Sequence, residues 1–339
     1  MDVELSEAVA TKVNEVIRKK RADADSGGIS RGSVLERLLR YKLTVEALPQ
    51  EGMLRVVDER VCALRASGEE KKSRNAFLET GRDKRGQEKL HLRLEGQAHP
   101  FYHDLYLDHT VISTPLYEPH YPHLSALKEE MSRWQTYYLE PRTLMREAVP
   151  LAEIRQIGPR GENLAAFLNV LEHENPKAFE NFNLALKVAL PFAGRVELEH
   201  LPTGLLMLKL RERDCWYSAR LVSEGTLRVL GLMAAISPET PGTVVCYEEP
   251  ENGVHPVRIK VIADLLKNAA LLGKQIIATT HSPAFANNFE DSELFVCRTE
   301  DDQTSISAFE SQGGIFRQIR KTRIDRALED RIRRGDYGG

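Results

Sequence analysis

The sequence predicts an α/β fold with a mostly parallel core sheet, and three observations lead to that class. The segment VVCY at 244–247 is a continuous apolar run, typical of a strand buried on both faces of a parallel sheet. A helical pattern over 257–272 and a second apolar run, QIIATT at 275–280, follow it, which is the strand–helix–strand order of parallel sheets. Upstream, strand-like and helix-like segments lie in separate blocks, which predicts an antiparallel β lobe and a helical insertion beside the core sheet.

The first block, residues 1–118, is predicted to form the antiparallel lobe. Apolar residues at helical spacing predict a helix over 4–21. The charged stretch 69–89 is predicted to be a hairpin tip or a surface loop. The strand-like segments of this block are 41–48, 53–64 and 89–96.

The second block, 119–192, is predicted to be a helical insertion because its apolar residues recur three and four positions apart. Strand-like segments resume in the third block, 193–312, which we predict to be a C-terminal lobe that contains the core sheet. Residues 313–339 are predicted to form a basic helix and a glycine-ended tail. The helical segments of the insertion are 125–139, 163–174 and 176–190.

The bulk composition limits the classes of function. The 339 residues carry a formal net charge of −3, so any nucleic-acid binding must use a local basic patch. No apolar run approaches the ~20 residues needed to cross a bilayer, and the first 20 residues do not resemble a secretory signal. We therefore expect a cytoplasmic protein that makes no membrane contact. The candidate basic clusters are 18–21, 71–85 and 317–323.

Two adjacent acids, Glu248 and Glu249, end the apolar strand, and their mutual repulsion has to be compensated if that end is enclosed. Ligands of open α/β sheets bind beyond the carboxyl ends of the strands. A magnesium ion bound to phosphates would compensate the charge, with Glu248 in the metal shell and Glu249 as the general base that orients a water. The alternative is a strand end at the surface, where two acids are harmless.

The neighbouring segments favour a phosphate ligand. His281 follows the second apolar strand, so two adjacent parallel strands would bring His281 to the same sheet edge as the two acids. Upstream, Ser223 is a suitable N-cap and Gly225 would allow a ligand to approach the backbone closely. The N-terminus of the helix that follows would attract an anion. The alternatives are a structural histidine and an ordinary capped core helix.

In this order, the segments resemble the motifs of the ABC-type AAA ATPases of the SMC/RecF group, which include small bacterial SMC-like ATPases and the overcoming-lysogenization-defect enzymes. SEGTLR at 223–228 is similar to the ABC signature, VVCYEE at 244–249 to the Walker B strand and TTHSP at 279–283 to the H-loop with its switch histidine. PENGVHP at 250–256 is similar to the D-loop, and GPRGENLAAFL at 158–168 to a segment between the two lobes.

The resemblance implies a two-lobe P-loop NTPase that binds ATP and Mg²⁺. It also implies that two heads associate as a homodimer or a hetero-oligomer with nucleotide sandwiched between them. Glu249 and His281 would be catalytic, and Glu248 would hold the metal. The residues implied in nucleotide binding are Ser223, Glu224, Gly225, Thr226, Asn252, Gly253 and His255.

One expected motif does not occur in the sequence. A G-x-x-x-x-G-K-[ST] loop, which would wrap the phosphates in backbone N–H groups and add a lysine, is not present in the 339 residues. We expect either that a segment carrying it precedes this sequence or that the chain is a degenerate subunit that completes a partner's site. The isolated polypeptide is then expected to hydrolyse ATP poorly or not at all.

The predicted function is ATP-gated dimerisation of an ATPase head. The resemblance implies a setting in DNA repair or in defence against phage and plasmids, non-specific contact with duplex DNA, and control of a nuclease or toxin effector. One alternative is a non-catalytic scaffold that docks a partner or effector. Another is a metal-dependent nuclease that uses Glu248, Glu249 and His281.

Overall fold

The computed structural model describes residues 1–23, 32–72, 75–94, 100–300 and 303–309. The chain divides into two units, Met1–Arg133 and Trp134–Gly339. The predicted basic helix and tail at 313–339, and the basic cluster at 317–323, lie outside the described residues.

In its described residues, the first unit is a six-stranded antiparallel sheet with two α-helices. Its strands, from β1 (Asp2–Glu4) to β6 (Phe101–His103), are hydrogen-bonded in sequence order. The helix α1 buries Val9, Val13 and Ile17 on one face, as their spacing predicts. Its elements are β1 (Asp2–Glu4), α1 (Glu7–Asp23), β2 (Leu38–Leu48), β3 (Met53–Ala63), β4 (Leu78–Arg82), β5 (Glu88–Leu92), β6 (Phe101–His103) and α2 (Pro122–Ser132).

The second unit is a mixed α/β structure around one hydrophobic core. Helices α5 (Glu224–Ala235) and α6 (Ile259–Leu271) both contribute to that core, with Leu227, Leu230, Ile262 and Leu266 fully or almost fully buried. Its elements are β7 (Gln135–Tyr137), β8 (Val149–Pro150), α3 (Leu164–Glu174), α4 (Pro176–Ala189), β9 (Ala193–His200), β10 (Leu205–Glu212), β11 (Cys215–Ser218), α5 (Glu224–Ala235), β12 (Val244–Glu248), α6 (Ile259–Leu271), β13 (Gln275–Thr279), α7 (Pro283–Ala286), β14 (Phe295–Glu300) and β15 (Gln303–Ala308).

The strands of the second unit form three sheets. The site depends on a parallel sheet in the order β13–β12–β7, in which Val245 of β12 lies opposite Ile276 of β13. Strands β8, β9, β10 and β11 form an antiparallel sheet, and β14 and β15 form a hairpin. The predicted α/β class is therefore confirmed, and the predicted parallel pairing of β12 with β13 is observed.

The arrangement differs from the prediction in the width of the parallel sheet. The strands over 193–218 are antiparallel, and among the described residues of the block 193–312 only β12 and β13 are parallel. The third parallel strand, β7, lies at 135–137, where we predicted a helix through 139. That prediction was wrong because the apolar spacing of Trp134, Tyr137 and Tyr138 fits a helix, whereas long-range pairing with β12 determines the strand.

Smaller differences occur in the first unit. Strand β4 lies inside the charged stretch predicted as a tip or loop, and only the turn at 83–87 is the hairpin tip. The spacing also gave no indication of the three-residue strand β1, which pairs with β2 at the sheet edge. The boundaries predicted at 118, 192 and 312 stay predictions. None of the helices in the described part of the chain is long and apolar enough to span a membrane.

Candidate phosphate-binding site

The candidate site lies at the carboxyl edge of the parallel sheet. In the β12–β13 register, Glu248 lies opposite Thr279, so the residues that follow both strands leave the sheet at the same level. The Glu249 N–H donates to the Thr279 carbonyl at 3.0 Å and extends the ladder by one bond. The topology therefore places Glu248, Glu249 and His281 at one edge, as the sequence predicts.

Glu249 and His281 contact each other directly. The His281 backbone N–H donates to Glu249 Oε1 at 3.0 Å, and His281 Nε2 lies 3.9 Å from the same oxygen. The His281 side chain is 99% exposed whereas that of Glu249 is 24% exposed. The imidazole is therefore accessible to a ligand from solvent, while the carboxylate is held by the backbone of the loop that follows β13.

Glu249 opens a tight turn that leaves the sheet. Its φ is +47°, in the left-handed region that non-glycine residues seldom adopt. The Asn252 N–H donates to the Glu249 carbonyl and the Val254 N–H to the Glu251 carbonyl, each at 3.0 Å. Backbone strain of this kind occurs at functional sites when surrounding contacts fix it, and here the contact with His281 is one such restraint.

Glu251 is a third carboxyl group of this turn and is buried, with 6% exposure. Its Oε1 accepts a short hydrogen bond from Thr280 Oγ1. Burial raises the pKa of the Glu251 carboxyl, the Thr280 bond opposes this rise, and the nearby Glu249 carboxylate adds to it. Glu251 is therefore an acid whose ionised form the fold disfavours.

A carboxyl group whose pKa is higher in the folded state binds its proton more tightly there than in the unfolded state. Its ionisation therefore lowers the free energy of unfolding as pH rises above the ordinary carboxyl pKa. Glu251→Gln keeps an oxygen for Thr280 and removes this charge. We expect the variant to gain stability relative to the wild type as pH rises above the ordinary carboxyl pKa. Thermal unfolding at several pH values tests this. Glu197→Gln, an exposed site on β9, is the control, and a difference that shrinks with rising pH would contradict the prediction.

The start of α5 is the second part of the site. Ser223 is the N-cap, as predicted: its Oγ accepts from the Thr226 N–H at 3.2 Å and lies 2.8 Å from Thr226 Oγ1. Glu224 accepts from Arg142 Nε at 2.8 Å. The first turn of α5 thus has a positive dipole end with an arginine held beside it.

Gly225 connects α5 to the turn after Glu249. A Cβ built at Gly225 would lie 3.2 Å from the Gly253 carbonyl oxygen, closer than most Cβ contacts. Gly253 itself has a φ of +70°. The absence of a side chain at Gly225 thus allows the 249–254 turn to lie directly against the first turn of α5.

The third strand of the sheet adds a loop that the sequence did not link to the site. After β7, the Tyr138 and Glu140 N–H groups donate to the carbonyls of Pro159 and Arg160, each at 2.9 Å. Arg160 also pairs with the Glu140 carboxylate at 2.5 and 2.7 Å. The segment at 158–168 therefore fixes the chain that leaves the carboxyl end of β7.

A family model described as "AAA domain, putative AbiEii toxin, Type IV TA system" matches residues 68–287, which is more than half of the chain. The chain belongs to this AAA family. The predicted membership in the ABC-type AAA ATPases is thereby confirmed at the level of the family, and with it the P-loop NTPase class. No curated protein matches the chain.

Among solved structures, this AAA chain is similar to SMC heads. An SMC head bound to the C-terminal winged-helix domain of ScpA matches with 14% identity and a TM-score of 0.39, over 90% of this chain and 87% of that one. The SMC head domain of Thermotoga maritima matches with 12% identity and a TM-score of 0.35, over 78% and 77%. A chain from work on ATP-driven dimerization and DNA-stimulated activation of SMC ATPases matches with 19% identity and a TM-score of 0.37, over 45% and 97%. The family assignment rests on the model match.

Within the AAA chain, two contacts join predicted residues that lie far apart in the sequence, Glu249 with His281 and Gly225 with Gly253. His255 lies outside both and caps a short 3-10 turn, where its Nδ1 accepts from the Val257 N–H at 3.4 Å. The described residues contain no group of three or more histidine, cysteine or acidic side chains that could hold a metal ion. The nuclease hypothesis therefore gains no support from them.

Sequence reasoning missed Glu251 and Thr280. The signal was present, because Glu251 is the third acid within four residues and Thr280 directly precedes His281. Polar residues next to a candidate site are common on protein surfaces, however. Only the burial of Glu251 in the structure distinguishes this pair from ordinary surface residues.

Gly225→Val is expected to weaken nucleotide binding by the AAA chain at least about tenfold, since a bulky β-branched side chain would push the 249–254 turn away from α5. Calorimetric titration with Mg·ATP measures this. Gly194→Ala, whose Cβ would meet Arg211 only at an ordinary 3.5 Å, is the matched control. Equal affinities in the two variants would contradict the importance of the Gly225–Gly253 contact.

Proposed function

We propose that this AAA chain is an ABC/SMC-like ATPase head that couples the binding and hydrolysis of ATP to dimerisation. The observation that carries the proposal is the contact of Glu249 with both the backbone and the imidazole of His281 at the carboxyl ends of two parallel strands. Membership in the AAA family supports ATP as the nucleotide.

The residues at this edge suit Mg²⁺ and a triphosphate. Glu248 is exposed at the end of β12, and its carboxylate has no hydrogen bond or ion pair with any described residue, so it is free to enter a metal shell. When bound, Mg²⁺ would neutralise charge on the phosphates.

Glu249 would accept a proton from a water, and the hydrogen bond from the His281 N–H to its Oε1 supports this role by orienting the carboxylate. The exposed His281 imidazole would donate to a terminal phosphate oxygen. Loss of the phosphate would remove the ligand of His281 and release the closed state.

The start of α5 would act on a partner's nucleotide. Ser223, Glu224, Gly225 and Thr226 form the first turn of a capped helix, whose N–H groups bind anions. The sequence contains no glycine-lysine phosphate loop, so in this proposal the chain contributes the signature and the base, and another polypeptide segment contributes the loop. Asn252, Gly253 and His255 would lie at the contact between the heads, which form a homodimer or a hetero-oligomer.

ATP-dependent association tests this proposal. The sample is the complex isolated from the native host through a tag on this chain, so that the segment carrying the phosphate loop is present. Sedimentation with Mg·ATP, with ATP and EDTA, and without nucleotide should give a larger species only in the first case, and Ser223→Arg should abolish it by blocking the start of α5. The control is Ser305→Arg, an exposed position on β15. Association that is the same in all three samples would overturn the proposal.

A non-catalytic scaffold is the second candidate, favoured by the lack of a phosphate loop in the 339 residues. The chain would then dock an effector or complete a partner's nucleotide site without hydrolysing ATP itself. Nucleotide-independent association with a partner, together with no calorimetric signal for Mg·ATP, would favour this function over the first.

The setting we propose is defence against phage or plasmids, or DNA repair, in the cytoplasm. The family's description, which names a toxin of a type IV system, supports defence and control of a toxin or nuclease effector.

Non-specific duplex DNA is a further proposed partner. Within the 18–21 cluster, Lys20 pairs with Glu118 at 2.5 Å and Arg21 donates to the Gly32 carbonyl. DNA phosphates would therefore compete with these protein contacts for the two cations. Duplex binding with a steep salt dependence would support DNA contact.

A further inference from the structure

Glu251 is a buried acid that the proposed chemistry does not use. With 6% exposure it is among the few buried charged residues of its unit. Its Oε1 accepts from Thr280 Oγ1, and its Oε2 has no partner among the described residues. A buried carboxyl oxygen that accepts no hydrogen bond lowers the stability of the fold. The bond from Thr280 to the other oxygen is therefore the contact that can explain why an acid is buried here.

That contact leads into the loop that carries His281. Thr280 Oγ1 donates to Glu251 and accepts from the Ser282 N–H at 2.9 Å. Ser282 in turn caps α7, because its Oγ accepts from the Phe285 N–H at 3.3 Å. The side chain of Glu251 is thus linked through the Thr280 hydroxyl to the residues on both sides of His281.

A second link runs beside the first. Glu249 receives the His281 N–H and donates its own N–H to the Thr279 carbonyl, both at 3.0 Å. The 249–254 turn is therefore joined to the 280–282 loop at two points, one exposed and one buried. The far end of the same turn lies against Gly225.

We propose that Glu251 is a positioning residue which, through Thr280, holds the 249–254 turn and the 280–282 loop as one unit. This unit fixes Glu249 and His281 relative to each other and keeps Gly253 against α5. The inference rests on the proposed function only in the roles that Glu249 and His281 have in nucleotide binding and hydrolysis. The coupling of the two segments exists in the protein without a ligand.

Amide hydrogen exchange of the full chain tests the coupling without nucleotide. Glu251→Ala and Thr280→Val each remove one partner, and each is expected to speed exchange in both segments at least about tenfold, because the hydrogen bond that joins the two segments is lost. The double variant should exchange no faster than the faster single variant. Glu251→Gln and Thr280→Ser keep an acceptor and a hydroxyl, so both should stay within about threefold of wild type.

Thr240→Val is the control. Thr240 is buried whereas Thr280 is half-buried, and Thr240 Oγ1 likewise donates a hydrogen bond, to the Ser237 carbonyl at 2.8 Å. The Thr240→Val variant should leave exchange in both segments unchanged. Exchange that rises only in the substituted residue's own segment, or effects that multiply in the double variant, would overturn the proposal. Thr280→Val is nearly isosteric, so the test holds even if Glu251→Ala does not fold.

Titration with Mg·ATP separates this inference from the proposed function. If the wild type binds, Glu251→Ala and Thr280→Val should weaken binding by a similar factor of about ten, and Thr280→Ser should restore it. Binding that is unchanged in both variants would overturn the positioning role. If the wild type does not bind, the proposed function fails, and the exchange data alone still decide whether Glu251 couples the two segments.

Discussion

Replacing Glu249 with glutamine is expected to slow ATP hydrolysis by about 100- to 10,000-fold, the usual contribution of a positioned general base. Glutamine keeps an oxygen that can accept the His281 N–H, so the turn should stay folded. The loss would therefore fall on proton acceptance, and nucleotide-bound dimers should accumulate. Turnover is best measured in the complex isolated from the native host through a tag on this chain.

The control for this substitution is Glu197→Gln on β9, which lies on an exposed strand face and should hydrolyse ATP like the wild type. A Glu249→Gln complex that retains more than about a tenth of wild-type turnover would contradict the base role. The 339-residue polypeptide by itself is expected to show little or no turnover, since it has no phosphate loop. Robust turnover by that polypeptide, abolished by Glu249→Gln, would show this expectation to be wrong.

Phe285→Ala is expected to lower the free energy of unfolding by about 3–5 kcal/mol, the range for deleting a buried aromatic ring. Phe285 is 1% exposed and its ring centroid lies 5.1 Å from that of Phe289. Its backbone N–H is also the group that Ser282 caps. The cavity would therefore form beneath the loop that carries His281, and chemical denaturation would measure the loss.

Phe295→Ala on β14 is the matched control, because Phe295 is 67% exposed and should change stability by less than about 0.5 kcal/mol. Similar losses in the two variants would contradict the packing described for α7. A folded Phe285→Ala protein should also bind Mg·ATP less tightly, as the residues that hold His281 lose their support.

The sequence was sufficient for the elements whose signal is local. The apolar run at 244–247 and the spacing over 257–272 predicted β12 and α6, and the Ser223 cap followed from local backbone chemistry. Because parallel neighbours end at one edge, the same pattern predicted that Glu249 and His281 share that edge, where the structure shows them in contact.

Strand pairing between distant segments and the burial of individual side chains could not be predicted from local sequence patterns. Strand β7 forms because β12 is available as its neighbour more than 100 residues later, and its three residues carry no period of their own. Likewise, the charge pattern did not indicate that Glu251 is buried while Glu248, three residues earlier, is exposed. Both features depend on contacts that only the folded chain supplies.

The central claim is that a metal-bound triphosphate binds at the edge formed by Glu248, Glu249 and His281, and calorimetric titration with Mg·ATP at millimolar nucleotide tests it most directly. The account predicts binding that requires Mg²⁺ and that Glu248→Gln weakens at least about tenfold, with Glu197→Gln unchanged. No binding, or equal affinity in Glu248→Gln and the wild type with and without Mg²⁺, would contradict it.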